Sequence, residues 1–126
     1  MTKTLDLIIW GRQFSLPIEY DCYAGESVTE EQIAALEVFA SHEDWIQKAK
    51  RQVEAYCKKR VMEDAQNEKK NNIFSYIKPE ALFVKRDEGH PRVALMCKYR
   101  YDPENGLAVV FNAKGNATVG AQDIIL

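Results

Sequence analysis

The chain has 126 residues, 46% of them hydrophobic and 29% charged, with a formal net charge of −2. Those proportions describe an ordinary globular protein, sized for a single domain spanning 1–126 and able to bury a core. No apolar run approaches the ~18 residues of a membrane helix, and the segment before Gly11 lacks the basic start and long apolar stretch of a signal peptide. The three cysteines, Cys22, Cys57 and Cys97, show no CxxC spacing, so the expectation is free, buried thiols in a reducing cytoplasm, with no disulfide framework and no zinc site.

In chain order, Leu5 to Trp10 is apolar and strand-like, and Gly11-Arg12 is the expected hairpin turn. Phe14, Leu16, Ile18, Tyr20 and Cys22 then alternate with polar residues, the period of a half-buried strand. Pro17 has no N–H for a ladder, which places this strand at an edge or at a bulge. Ser27 with Glu30, or Thr29 with Gln32, has the spacing of a capping box, opening a short helix whose buried face is Ile33, Leu36, Phe39 and Ala40. Ser41 restarts the pattern. Trp45, Ile46, Ala49, Val53, Tyr56, Cys57, Arg60 and Val61 mark one stripe of a longer helix. It ends in a polar loop at 67–72.

The second half reads as β. Ala81 to Arg86 is a strand, Asp87 to Pro91 a turn, and Arg92 to Tyr101 the longest strand. Asn105-Gly106 is the strongest hairpin signal in the chain, because both residues tolerate positive φ. Leu107, Val109 and Phe111 continue into a further turn at Lys114-Gly115-Asn116 and a strand at Thr118-Val119. The helices cluster in sequence. That order predicts an α+β fold: an N-terminal β-hairpin, two helices (one short, one long), then a mainly antiparallel β-meander, with the helices on one face of the sheet.

Charge is segregated along the chain. From Gln13 to Gln47 there are eight acids and no Lys or Arg, whereas Lys48 to Arg100 holds fourteen bases against seven acids. One acidic and one basic surface follow, and an acidic surface suits a basic partner.

Little in the pattern points to catalysis. His42 opens a helix and His90 precedes a proline, both positions of solvated residues, and no Ser or Cys stands at a spacing that pairs it with either. The six glycines are scattered at turns and form no phosphate-binding loop. Asp102 and Glu104 resemble a fragment of a calcium loop, but the remaining ligands are missing. Lys48, Lys50, Arg51, Lys58, Lys59 and Arg60 share one helix; in an acidic chain they read as a solvated face and not as a nucleic-acid surface. No cofactor and no metal is implied.

The string from Tyr101 to Phe111 (YDPENGLAVVF), followed by Gly115, Gly120 and Gln122 to Leu126 (QDIIL), resembles the C-terminus of a family of small uncharacterised bacterial proteins, a domain of unknown function. WGRQFSLPIEYDCY and IKPEALFVKRDE are similar to the same family's N-terminal hairpin and central strand. The resemblance brings no catalytic residues. It implies a relation to small bacterial proteins of which some are immunity proteins that neutralise a toxin. On this reading the chain is a non-catalytic protein-binding protein, with Tyr23, Glu26, Glu30, Glu31, Glu37, Glu43 and Asp44 meeting a basic toxin domain such as a nuclease. The rivals are a small enzyme or ligand-binding domain with an unrecognised pocket, and a structural module that dimerises through the Pro17 strand or the C-terminal tail.

Overall fold

The computed structural model describes residues 4–21, 27–64, 77–86, 92–100 and 102–125, with side chains described up to residue 57 in the last helix. Within those limits the order is β1 (Thr4–Ile9), β2 (Arg12–Tyr20), α1 (Glu30–Ala40), α2 (Asp44–Lys48), α3 (Lys50–Asp64), β3 (Ile77–Lys85), β4 (Arg92–Tyr99), β5 (Leu107–Phe111) and β6 (Ala117–Gly120), closing on a short 3-10 turn at Gln122–Ile124. The six strands form one sheet in sequence order. The architecture is α+β, with an N-terminal hairpin and a mixed sheet.

Four neighbouring pairs are antiparallel, while β2 and β3 run parallel, with Ile18 to Tyr20 beside Leu82 to Val84. Helices α1 to α3 lie between those two strands in sequence. A parallel pair needs such a crossover, since a tight turn can only reverse the chain. Pro17 is therefore not on an edge strand. It pairs with Thr4 at the far end of the β1 ladder, and the β3 ladder begins at the next residue, Ile18. The missing N–H falls where β2 exchanges one partner for the other.

The first turn also differs from expectation. Ile9 pairs with Arg12, so Trp10-Gly11 forms the two-residue connection, with φ of 47° and 85°. Positive φ at both positions is the geometry that matches strand twist, yet a bulky residue there is strained. Trp10 is compensated by burial and by an indole Nε1–H donated to the Ile46 carbonyl at 3.1 Å. Asn105-Gly106, conversely, is not a two-residue turn. Cys97 pairs with Leu107, and the intervening loop closes through the Gly106 N–H on the Asp102 carbonyl at 2.8 Å. Among the described residues outside glycine, only Trp10 has positive φ; Asn105 instead donates its backbone and side-chain N–H groups to the Asp102 carboxylate.

Helix α1 starts at the second of the two expected caps. The Thr29 hydroxyl accepts the Gln32 N–H at 3.1 Å, and the Gln32 side-chain oxygen accepts the Thr29 N–H at 3.0 Å. Gln32 is 1% exposed, and its side-chain amide also donates to the carbonyls of Asp21 and Val84 at 3.0 and 3.1 Å. It plugs the end of the parallel pair, where Val84 closes on Asp21. Phe39 is buried as expected, but Ile33 is 44% exposed. The buried stripe runs instead through Gln32, Ala35, Leu36 and Phe39. The expected long helix is divided at Ala49, whose N–H bonds to Trp45 and whose carbonyl accepts from Val53, both at 3.1 Å.

Phe39, Ile46, Ala49, Val53 and Cys57 share one core with alternate sheet residues, among them Leu82, Val84, Leu95, Tyr99, Val109 and Phe111. Burial of the two described thiols raises the pKa of both Cys57 and Cys97; a hydrogen bond from Tyr99 partly offsets the effect at Cys57. Residues of the opposite register, Ala81, Ala94, Met96, Ala108 and Val110, form a second cluster with Ile125. That cluster is covered, while Lys98, in the same register as Ala94 and Met96, stays exposed. The Gln122 amide fastens the tail there by donating to the Cys97 carbonyl at 3.0 Å. Gln122 also donates its backbone N–H to Asn105 at 3.0 Å.

Candidate functional site

Helix α1 does not pack flush against the sheet end. A hollow of about 330 Å³ opens between it and the β5–β6 turn. Ala34, Ala35 and Val38 form the helical wall, Trp45, Val93 and Phe111 the floor, and Asn112 with Ala113 the far wall. Two alanines on the facing side of α1 leave the space unfilled. Of the lining residues only Glu31 is charged.

The floor is a ring cluster. Phe39 and Phe111 lie 5.3 Å apart between centroids, and Trp45 sits 6.5 Å from each. His42 stacks on the outer side of Trp45 at 4.6 Å, held there by its Nδ1–H donating to the Val38 carbonyl at 2.7 Å. Beneath the indole runs the β5–β6 turn. Asn112 accepts the N–H groups of Lys114 and Asn116 at 2.9 and 3.0 Å, and Gly115 adopts φ of 83°. A Cβ on Gly115 would clash with Cε2 and Nε1 of the Trp45 ring. Glycine is therefore required twice at this position, for its backbone angle and for the close approach of the indole.

The structure disperses the acidic residues. Glu30 and Glu31 begin α1 and are exposed; Glu31 borders the hollow. Glu37 is exposed on another flank, about 120° away from Glu31 at ~100° per residue. It lies near Tyr20, whose pKa is raised by burial and then by the Glu37 charge. Glu43 precedes α2, exposed and making no capping bond. Asp44 is occupied by Lys48 at 3.1 Å, and that hydrogen bond is the first cause of its lowered pKa. Asp21 serves the fold, taking Lys85 at 3.4 Å and the Arg86 N–H at 3.2 Å. Tyr23, Glu26, Cys22 and His90 lie outside the described residues, as do Tyr101, the 67–72 loop and the side chains of Lys58, Lys59 and Arg60.

No sequence signal marked the hollow. Its walls are alanines, a valine and a turn asparagine, and each is unremarkable until α1 is placed against β5. On the opposite sheet face a smaller hollow of about 220 Å³ is lined by Arg92, Asn116 and Thr118, and Asn112 borders both. Among the described residues no three His, Cys, Asp or Glu side chains converge in a metal-binding group. No described helix is long and apolar enough to cross a membrane.

These features define an α+β protein with a mixed six-stranded sheet and an apolar pocket along one flank of its first helix. The chain belongs to a family defined as a domain of unknown function (DUF6985), whose model matches residues 2–126. No curated protein and no solved structure shows significant similarity.

Proposed function

We propose that this is a cytoplasmic, non-catalytic bacterial protein that binds another protein, most concretely an immunity protein occupying a basic toxin domain. The observation that carries the reading is the outer side of α1. Val38, 41% exposed, lines the apolar hollow together with Glu31, and Ile33, 44% exposed, stands on the other flank of the helix with the exposed Glu30 and Glu37. Exposed apolar groups flanked by charge of one sign are suited to a protein interface: the apolar groups supply buried area, and the carboxylates steer a basic partner. Asp44 contributes less to this surface than its sequence position implied, because Lys48 neutralises it.

The partner is expected as a basic toxin domain encoded beside this gene. Calorimetry and stopped-flow association with that purified domain test the reading. The double variant Glu30→Lys/Glu31→Lys should slow association at least ten-fold at low salt, the range in which electrostatic steering operates, and remove protection in cells. Unchanged association and full protection would show that the interface lies elsewhere.

A further inference from the structure

We infer that the outer edge of β1 is a pairing surface for a second copy of this chain, joined antiparallel about a two-fold axis at Leu7. The pairing does not use the α1 surface, so it stands or falls separately from the protein-binding reading.

The two ends of the sheet are finished differently. β6 is short, and its Ala117 carbonyl accepts the Gln52 side-chain amide of α3 at 2.7 Å. β1 is longer and runs from Thr4 to Ile9 in unbroken register with β2, without proline, glycine or bulge. Among the described residues no strand pairs with its outer side. The tight turn closes on Ile9 and Arg12. Alternation in the ladder therefore turns the backbone N–H and C=O groups of Ile9, Leu7 and Leu5 toward β2, and those of Ile8, Asp6 and Thr4 outward. The side chains of these last three are exposed, and Ile8, at 56%, is the most exposed large hydrophobic among the described residues. Sheet edges are ordinarily kept apart by an outward charge or an interruption. Here the only charge of the strand, Asp6, is drawn back to β2, where the Ser15 hydroxyl donates to its carboxylate.

A row of outward backbone groups is matched by another strand. Paired with itself, β1 is complementary in one register. An axis through Asp6 would oppose two carboxylates, and one nearer Thr4 leaves Ile8 beyond the paired residues. An axis through Ile8 would bring Asp6 against Trp10, where positive φ ends the strand. The axis through Leu7 sets Leu7 against Leu7 and Leu5 against Ile9 on the side of the helical core, while Asp6 and Ile8 exchange ladder bonds across the join. Such a pairing uses the same patch on both copies and closes on two.

The test follows the full chain by sedimentation from micromolar to millimolar concentration, with amide hydrogen exchange at both ends of the range. A single pair of edge strands is a small interface that separates on dilution. The mass should double with concentration. The Asp6 and Ile8 amides, open in the dilute protein, should exchange roughly ten-fold more slowly in the concentrated one, while Leu7 and Ile9 are protected in both. Ile8→Lys, at an exposed site, should hold the chain at monomer mass throughout, with the Trp10 indole N–H signal unchanged as a sign that the hairpin is intact. Ile33→Lys, on α1, should leave the dimer in place.

The exchange pattern of the unsubstituted chain decides the matter without any variant: one chain mass throughout, or unchanged exchange at Asp6 and Ile8, overturns the inference. A dimer that survives Ile8→Lys also overturns it, because the contact then lies elsewhere. So does growth beyond two copies, which a closed two-fold pair does not permit.

Discussion

The two faces of the sheet are closed in opposite ways. On one, large side chains interlock, and the seal depends on rings lying against backbone: Trp45 against Gly115, Trp10 against the Ile46 carbonyl. On the other, alanines, Val110 and Met96 pack with Ile125, and the seal depends on one amide, Gln122, held between the Cys97 carbonyl and Gly106. Rings span distance and leave gaps where their outlines fail to match. Small residues under a short tail leave less room. The apolar hollow lies on the face closed by rings, where Ala34 and Ala35 of α1 stop short of Trp45 and Phe111.

Three left-handed glycines grade the comparison. Gly115→Ala combines unfavourable φ with a Cβ that clashes with the Trp45 ring and should cost about 3–4 kcal/mol, displacing the indole. Gly106→Ala places a Cβ 2.8 Å from both the Cys97 carbonyl and the Gln122 amide and should cost about 2–3 kcal/mol. Gly11→Ala meets no atom within 4 Å and should cost about 1 kcal/mol, from backbone strain alone. Urea unfolding orders the three, and equal losses at Gly115 and Gly11 would refute the seating of Trp45.

The two buried or half-buried glutamines sharpen it further. Gln32→Ala removes bonds to three backbone groups at the end of the parallel pair and should cost about 2–3 kcal/mol. Gln122→Ala, at the tail, should cost about 1 kcal/mol. The same unfolding curves give the values, and a reversed order would place the stronger clamp on the tail.

The smallest effect concerns Asp44. Its lowered pKa means that the pair with Lys48 contributes stability above the ordinary carboxylate value, and loses it as pH falls through the depressed folded value. Lys48→Met should move the Asp44 carboxyl titration, followed by ¹³C NMR, back toward its ordinary range with little change in unfolding.

Much of the strand content was legible because it rests on local chemistry. The alternation in β4 and β5, and the Thr29/Gln32 box, follow from side-chain period and cap spacing alone. The parallel pair was not legible, since it depends on how far α1 to α3 carry the chain before β3 begins. Asn105-Gly106 misled because Asp102 satisfies Asn105 in an ordinary conformation. Trp10 is not legible as a turn residue, because local preference disfavours it there and only distant partners compensate. The acidic run was visible, but its scatter was not: helical rotation sends Glu31 and Glu37 to separate flanks, and Lys48 takes Asp44.

The Trp10 indole has a consequence for how the molecule can be divided. A hairpin at the end of a sheet is ordinarily the part most easily excised or exchanged, since its own turn holds it together. Here the turn adopts an angle its bulkiest residue disfavours, and the compensating bond reaches across 36 positions to Ile46 in α2. Removing the first two strands would strip a donor from the Ile46 carbonyl, and removing α2 would leave the turn strained without relief. Although it occupies the margin of the sheet, the hairpin is not a detachable part.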